Sequence, residues 1–251
     1  MTARSPVVLE AFGLRLGVGG LSPTELRELR RRFPGDWDFL PYRPGMIVDR
    51  WFRMPRANPL GQGGPGRLEV IGNHIQMHLA RNARTHVLVH AGVVVWNGRC
   101  VMFPGKSGAG KTTLVRAMLE AGATYMSDEY AAIDGSGMIH PYARPLALKS
   151  KTGRVRRVDP GDLNPSNGSP LRAMLILDTW YEPRALFRPA PLTRIESIAL
   201  LSRNSAASLL RPEGALRAFS LATEAAEGLA GVRGAASAVV HWIKDRLRGV
   251  E

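Results

Sequence analysis

The sequence predicts an α/β fold in which a mixed sheet carries a phosphate-binding loop. Three observations lead there. The run Gly105-Lys106-Ser107-Gly108-Ala109-Gly110-Lys111-Thr112 fits G-x-x-x-x-G-K-[ST] at every fixed position, and Thr113 follows it. The loop also has suitable neighbours. Apolar Val101-Met102-Phe103 runs into it, and residues 113–121 carry helical spacing, with Leu114, Met118 and Ala121 on one face and Gly122 where a C-terminal cap belongs. Finally, residues 87–95 are β-branched and apolar, Asn97-Gly98 is a hairpin-turn dipeptide, and residues 100–103 return. The strand entering the loop therefore pairs antiparallel with its predecessor, unlike the helix-linked parallel pair that opens a Rossmann-type domain.

The loop's spelling follows from its chemistry. Glycines let the backbone curl until successive N–H groups face phosphate oxygens, and the helix behind adds its positive end. Gly105, Lys106, Ser107, Gly108, Ala109, Gly110, Lys111, Thr112 and Thr113 are thus the candidate phosphate-binding residues. Lys111 would reach the outer phosphates of ATP, and the Thr112 hydroxyl would take a place on Mg²⁺. Lys111 is expected to be exposed, so that its removal costs no packing. Lysine usage adds an independent argument. Only five of the 34 basic residues are lysines, so a lysine at the position that needs a compact ammonium is unlikely to be accidental.

A chain of 251 residues with 45% hydrophobic content can bury one large α/β domain, or a domain with an appendage. No apolar run has the length of a membrane span, and the N-terminus lacks an apolar signal core. A single cysteine, Cys100, excludes an internal disulfide and fits a reducing compartment, so a cytoplasmic location is expected. The net charge of +13 has two readings. Most of the arginine reads as a solvated surface, because the basic runs are short and no aromatic-interleaved basic stripe accompanies them. A remaining part would suit an acidic partner.

Along the chain, residues 11–18 read as a strand. Ser22-Pro23-Thr24-Glu25 is a capping box with proline at the first helical position, opening a helix through Leu26, Leu29 and Phe33. Residues 34–66, rich in proline and glycine, read as an irregular connection with short strands around 46–53. Residues 68–71 suggest another strand, with Asn73 capping a helix that carries Ile75 and Leu79. After the loop helix come a strand at 125–127, a hairpin across 130–140 and a buried strand at 173–177. From Glu213 the sequence is alanine-rich and helical, interrupted by Gly228, Gly231 and Gly234, and ends in a helix bearing Val239, Val240, Ile243 and Leu247. Two domains are expected: residues 1–85, a small α+β segment, and residues 86–251, the loop-bearing core with a helical C-terminus.

Two features flank the loop. His90-Ala91 lies in the strand before the hairpin turn, and Asp128-Glu129 follows the strand after the loop helix. With the hairpin, loop and helix, this order resembles the catalytic core of HPr kinase/phosphorylase, an enzyme that phosphorylates a serine of a small carrier protein. The closer resemblance is to the shorter HPr kinase-related proteins. Their His-Ala, Ser-Asp-Glu and Arg-Pro-x-x-Leu-Lys here read His90-Ala91, Ser127-Asp128-Glu129 and Arg144-Pro145-Leu146-Ala147-Leu148-Lys149. It covers residues 86–150 well and the rest in outline. The parent's separate N-terminal domain and its Glu-Ile-Arg-Gly-Leu-Gly signature are missing, which puts its phosphorylase activity and carrier-protein substrate in doubt.

The resemblance implies an HPr kinase/PEP carboxykinase-like core and a kinase using ATP and Mg²⁺. Asp128 would accept or orient the acceptor hydroxyl's proton, His90 would position or tune it, and Glu129 would join Thr112 in holding Mg²⁺. Arg144 and Lys149 would neutralise charge on the transferring group. The acceptor implied is a serine of a peptide or small protein, such as a ribosomally made peptide precursor, and a homo-oligomer is compatible with the family. A nucleotide-sensing scaffold is the alternative from another class, but it has no use for a base beside the phosphates. A nucleic-acid-dependent ATPase rests on charge alone, with only Asp178 as a weak distal aspartate. His74, His78 and His86 have no carboxylate or cysteine at ligand spacing, which argues against zinc.

Overall fold

The computed structural model describes residues 6–34, 37–55, 66–149 and 155–248. The chain divides into two compact units, Met1–His86 and Val87–Glu251. In the first, β1 (Val7–Ala11) and β2 (Leu14–Gly19) form an antiparallel hairpin, followed by α1 (Pro23–Arg30), β3 (Phe39–Pro41), β4 (Arg50–Arg53) and α2 (Arg67–Asn82). The sheet order is β3-β1-β2-β4. Residues 11–18 are therefore not one strand. Phe12 (φ 50°) and Gly13 (φ 77°) occupy the left-handed region, as a two-residue hairpin turn demands, and break the run in two.

The capping box at α1 is made: Glu25 N–H donates to Ser22 Oγ at 3.2 Å, and Ser22 N–H donates to Glu25 Oε2 at 2.8 Å. The helix stops at Arg30, and Phe33 is buried beyond it against Phe39. Residues 68–71 are helical, not extended, and Asn73 lies inside α2 rather than at its cap. The β-branched look of that stretch loses to a longer pattern. Ile71, Ile75 and Leu79 recur every four residues and bury together in the first unit's core.

The second unit is built on an eight-stranded mixed sheet. β5 (His86–Trp96) and β6 (Arg99–Pro104) are joined by Asn97 and Gly98, both at positive φ, and pair antiparallel. Then come α3 (Lys111–Glu120), β7 (Thr124–Ser127), β8 (Tyr130–Asp134) and β9 (Ile139–His140). A separate two-stranded ribbon follows, β10 (Leu146–Lys149) with β11 (Val155–Val158), leading into a 3₁₀ turn at Pro160–Leu163. The remainder is β12 (Ala173–Tyr181), β13 (Ala190–Leu192), α4 (Arg194–Arg203), α5 (Ala207–Leu210), α6 (Pro212–Ala222), β14 (Glu227–Arg233) and α7 (Ala236–Arg246). Sheet order is β13-β14-β12-β6-β5-β8-β9, with β7 also on β5. Among the described residues no helix is long and apolar enough to cross a membrane.

Alternation along the strands sorts the core into two layers. Val93, Val95, Cys100 and Met102 face α4, α5 and α6, burying against Leu200, Leu201, Ala218 and Phe219. Val94, Val101 and Phe103 face α3 and α7, burying against Leu114, Val115, Met118, Val239 and Ile243. The register of β12 on β6 shifts between Ala173 and Leu175, so Ile176 joins the first layer while Leu175 and Leu177 join the second.

The C-terminal part is not simply helical, as its composition suggested. The glycines that interrupt it lie in or just after β14, which pairs parallel with β12 inside the sheet. Added Cβ atoms there have no room: one at Gly228 would strike Ser197 Oγ, and one at Gly231 would lie 2.9 Å from Pro189 Cα. Glycine is kept by close neighbours, at some cost in strand propensity.

One glycine positions the phosphate loop directly. Gly92 in β5 lies beneath α3, where an added Cβ would stand 2.6 Å from Val115 Cγ2 and 3.7 Å from Lys111 Cβ. Strand propensity alone favours alanine by up to about 1 kcal/mol. Overpacking against a fully buried Val115 costs about 1–3 kcal/mol and should win. Gly92→Ala is expected to lower the urea midpoint accordingly. Adding Val115→Ala should recover part of that loss, whereas no recovery would mean that the contact is not the cause.

Candidate active site

The loop begins where β6 ends and is shaped by two left-handed glycines, Gly108 (φ 87°) and Gly110 (φ 84°), the second capping α3. Within it, Ala109 N–H donates to Lys106 O at 3.2 Å. Lys111 starts the helix. It is only 7% exposed, contrary to expectation, and its Nζ folds back to donate to Lys106 O at 2.9 Å. Burial lowers the Lys111 pKa, and the Asp128 and Glu129 carboxylates oppose that shift.

The acidic pair is brought to the loop by the backbone of β5. His90 O accepts from Gly105 N–H at 3.0 Å, and Ala91 N–H donates to Glu129 O at 3.1 Å. The turn after β7 is held by the buried Ser127 hydroxyl, which accepts from the N–H groups of Glu129 (3.2 Å) and Tyr130 (3.1 Å). Asp128 is thereby turned toward the loop: Thr112 Oγ1 donates to Asp128 Oδ2 at 3.4 Å, a long and weak contact. The buried Tyr125 hydroxyl lies 3.2 Å from Asp128 Oδ1 and 2.9 Å from Arg144 O, and its one proton serves either acceptor. Burial first, and the Glu129 charge second, raise the Asp128 pKa to about 6, against the pull of Arg144, Tyr125 and Lys111.

These groups line a cavity of about 440 Å³ whose walls include His90, Ser107, Lys111, Thr112, Asp128 and Glu129. Arg144 reaches it indirectly, by an ion pair between its Nη1 and Glu129 Oε2. Among the described residues no hydrogen bond joins the His90 ring to Asp128. Burial and the neighbouring Lys111 charge push the His90 pKa down to about 4, so the imidazole is neutral at pH 7. The Lys149 side chain lies outside the described residues, as does Arg154 in the basic run that follows. Asp178 is not part of the cavity wall; it pairs with Arg203. A larger cavity of about 810 Å³ in the first unit, lined by Trp51, Arg53 and Met54 among others, contains no loop residue.

Sequence reasoning missed Tyr125. The available signal was weak: a tyrosine in the strand just before the acidic pair, whose hydroxyl needs a partner once its ring is buried. It missed Arg116 too, which lines the cavity beside its ion-pair partner Glu120.

The arrangement suits a polyphosphate and a divalent cation. Left-handed glycines free the loop's N–H groups, Lys111 supplies a charge beside them, and Thr112 with two carboxylates supplies hard oxygen donors. The fold is a mixed α/β one, with the glycine-rich loop at residues 105–112 following β6. No protein-family model and no curated protein matches this chain. Among solved structures, the Hpr(Ser) kinase/phosphatase from Coxiella burnetii is similar over 63% of this chain and 95% of that one, at 11% identity and a TM-score of 0.38. That is a distant likeness of fold.

The raised Asp128 pKa has a consequence for stability. The unfolded carboxyl releases its proton near 3.8 and the folded one near 6, so between those values the folded state binds more protons and stability falls as pH rises. The penalty is complete above pH 6 and on the order of 3 kcal/mol. In metal-free buffer Asp128→Asn should be more stable than the parent at pH 8, with the difference shrinking toward pH 4. Urea melts at the two pH values test this, and an equal difference at both would remove the proposed proton linkage.

Proposed function

We propose that this chain is a kinase that transfers the γ-phosphoryl group of ATP to a hydroxyl, with a serine of a peptide or small protein as acceptor. The observation that carries the reading is the placement of Asp128, a carboxylate with a raised pKa that faces Thr112 and shares a cavity with Lys111. A loop that only bound nucleotide would need no proton acceptor there.

In this reading the loop N–H groups and the α3 N-terminus hold the phosphates, and Lys111 leaves the Lys106 carbonyl to meet their charge. The acceptor oxygen attacks the γ-phosphorus while the bond to the β-phosphate oxygen breaks, so ADP leaves and the acceptor proton passes to Asp128. Tyr125 lies within hydrogen-bond reach of one carboxylate oxygen and Thr112 makes a long contact to the other, while neutral His90 lines the wall without competing for that proton. Mg²⁺, which Thr112 and Glu129 would hold, would offset phosphate charge. Glu129 must share its carboxylate with Arg144, which keeps that guanidinium beside the cavity for the transferring group.

Intact-mass analysis of candidate peptides incubated with the protein, ATP and Mg²⁺ tests the proposal. A gain of one phosphoryl group on a serine supports it. ATP hydrolysis with no acceptor modified, in any peptide set, would favour a sensor or ATPase instead. Lys111→Ala should abolish turnover. Asp128→Asn should keep ATP affinity within a few-fold while lowering transfer by about 10²-fold or more. Equal loss of binding and transfer would make Asp128 a metal ligand.

The chain's net charge of +13 yields a further expectation for an acidic acceptor. Its KM should rise with salt, because screening limits exposed charges to about 8 Å at physiological ionic strength. The KM for ATP, set by fixed N–H donors, should respond less. A flat response for the peptide would assign the surplus arginine to a solvated surface.

A further inference from the structure

Arg233 ends β14, which runs parallel to β12, itself parallel to β6. The phosphate loop leaves the end of β6, so Arg233 stands on the same carboxyl-terminal edge of the sheet. The two are in contact: a Cβ added at Gly110 would run into Arg233 Nη2. The side chain does not line the cavity, and therefore reaches the site only through the backbone of Gly110.

Its environment is unusual for a cation. Arg233 is 3% exposed. Nη1 donates to Gly234 O at 3.3 Å, Nε is buried with no hydrogen-bond partner, and among the described residues no carboxylate pairs with the guanidinium. Its remaining support is the Tyr181 ring, 5.6 Å below the guanidinium carbon. Arg144, Arg203 and Arg246 of this unit pair with carboxylates, whereas Arg211, far less buried than Arg233, is the unit's other arginine with buried nitrogens that have no partner among the described residues. Burial lowers the Arg233 pKa, but an arginine keeps its proton in a protein. A buried, unpaired charge is destabilising, and here it adds to two others of the same sign, the α3 N-terminus and Lys111. An anion in the loop relieves all three at once.

We propose that Arg233 is a positioning residue of the phosphate loop: it braces Gly110 from behind and adds a fixed positive charge, so that affinity for polyphosphate depends on it. The proposal rests on the reading of Gly105 to Thr112 as a nucleotide-phosphate loop. It predicts a separation between binding and stability that a merely structural arginine would not show. Methionine, of similar length and without charge, should relieve the unpaired cation while weakening the ligand. Lysine keeps the charge but not the planar contact, and should fall between.

The test titrates the full chain, Arg233→Lys and Arg233→Met with Mg²⁺-ATP and with inorganic tripolyphosphate, by calorimetry and by thermal melting. The expected result is tenfold or greater loss of affinity for both ligands in Arg233→Met, a smaller loss in Arg233→Lys, and a ligand-free melting temperature of Arg233→Met equal to or above that of the parent. Parental affinity in Arg233→Met overturns the proposal, and a ligand-free melting temperature well below the parent's leaves the decision to Arg233→Lys. If Arg233→Met does not fold, Arg233→Lys decides: a several-fold loss for tripolyphosphate supports the proposal and no loss overturns it. Failure of the parent chain to bind ATP would instead overturn the proposed function, and is read separately from the variants.

Discussion

Much of the site hangs on a single peptide unit in β5. The carbonyl of His90 takes the N–H of Gly105, where the phosphate loop begins, and the N–H of Ala91 gives to the carbonyl of Glu129 in the acidic pair. The loop and the carboxylates belong to segments separated by the whole of α3. Fastening both to adjacent groups of one central strand fixes their separation without any side-chain interaction. Side chains then aim within that frame: Ser127 closes the turn, Tyr125 and Thr112 hold Asp128, and Arg144 holds Glu129. A change at position 90 or 91 that kept the strand would keep the frame, so the backbone role of these two residues and any chemical role of the His90 ring are separable.

The second theme is charge held at the edge of what folding tolerates. Lys111 and Arg233 are nearly buried cations at the N-terminus of α3, while Asp128 and Glu129 are adjacent carboxylates, one with its pKa raised. Each arrangement costs stability in the free protein, and the two lie within one cavity and its backing wall. Opposing charges moderate the cost: both carboxylates favour the charged form of Lys111, and Arg144 favours the ionised form of Asp128. Strongly perturbed, mutually opposed charges gathered in one cavity are the usual mark of a functional site.

Where local chemistry is strong, structure follows the sequence closely. Asn97-Gly98 makes its turn, Ser22-Pro23-Thr24-Glu25 caps its helix, and the hairpin of β8 with β9 closes through Gly137. Where it is weak or conflicting, distant packing decides. Phe12-Gly13 gives a less familiar turn signal than Asn-Gly, so the alternation of residues 11–18 suggests a single strand where the chain in fact turns. Residues 68–71 look like a strand until the four-residue spacing of Ile71, Ile75 and Leu79 is followed across sixteen residues. The glycines of β14 signal helix-breaking, whereas their reason for being there is the nearness of Ser197 and Pro189, which no local pattern encodes.

The sequence by itself determined the glycine-rich turn at residues 105–110, the strand and helix on either side of it, and the hairpin ahead of it. Each depends on residues adjacent in the chain and on φ values that glycine and asparagine supply. It also placed Asp128 and Glu129 directly after a strand, the position from which carboxylates can face a loop at the same sheet edge. Only the tertiary structure decided that Lys111 is buried rather than exposed, that Tyr125 rather than His90 is hydrogen-bonded to Asp128, and that Arg233 lies against Gly110. The last of these joins segments far apart in the chain, β14 and the loop at Gly110, while the first two are short in sequence but depend on how the layers around them pack. They are set by strand order and by which side chains the packed layers leave room for, neither of which is written in any local run of residues.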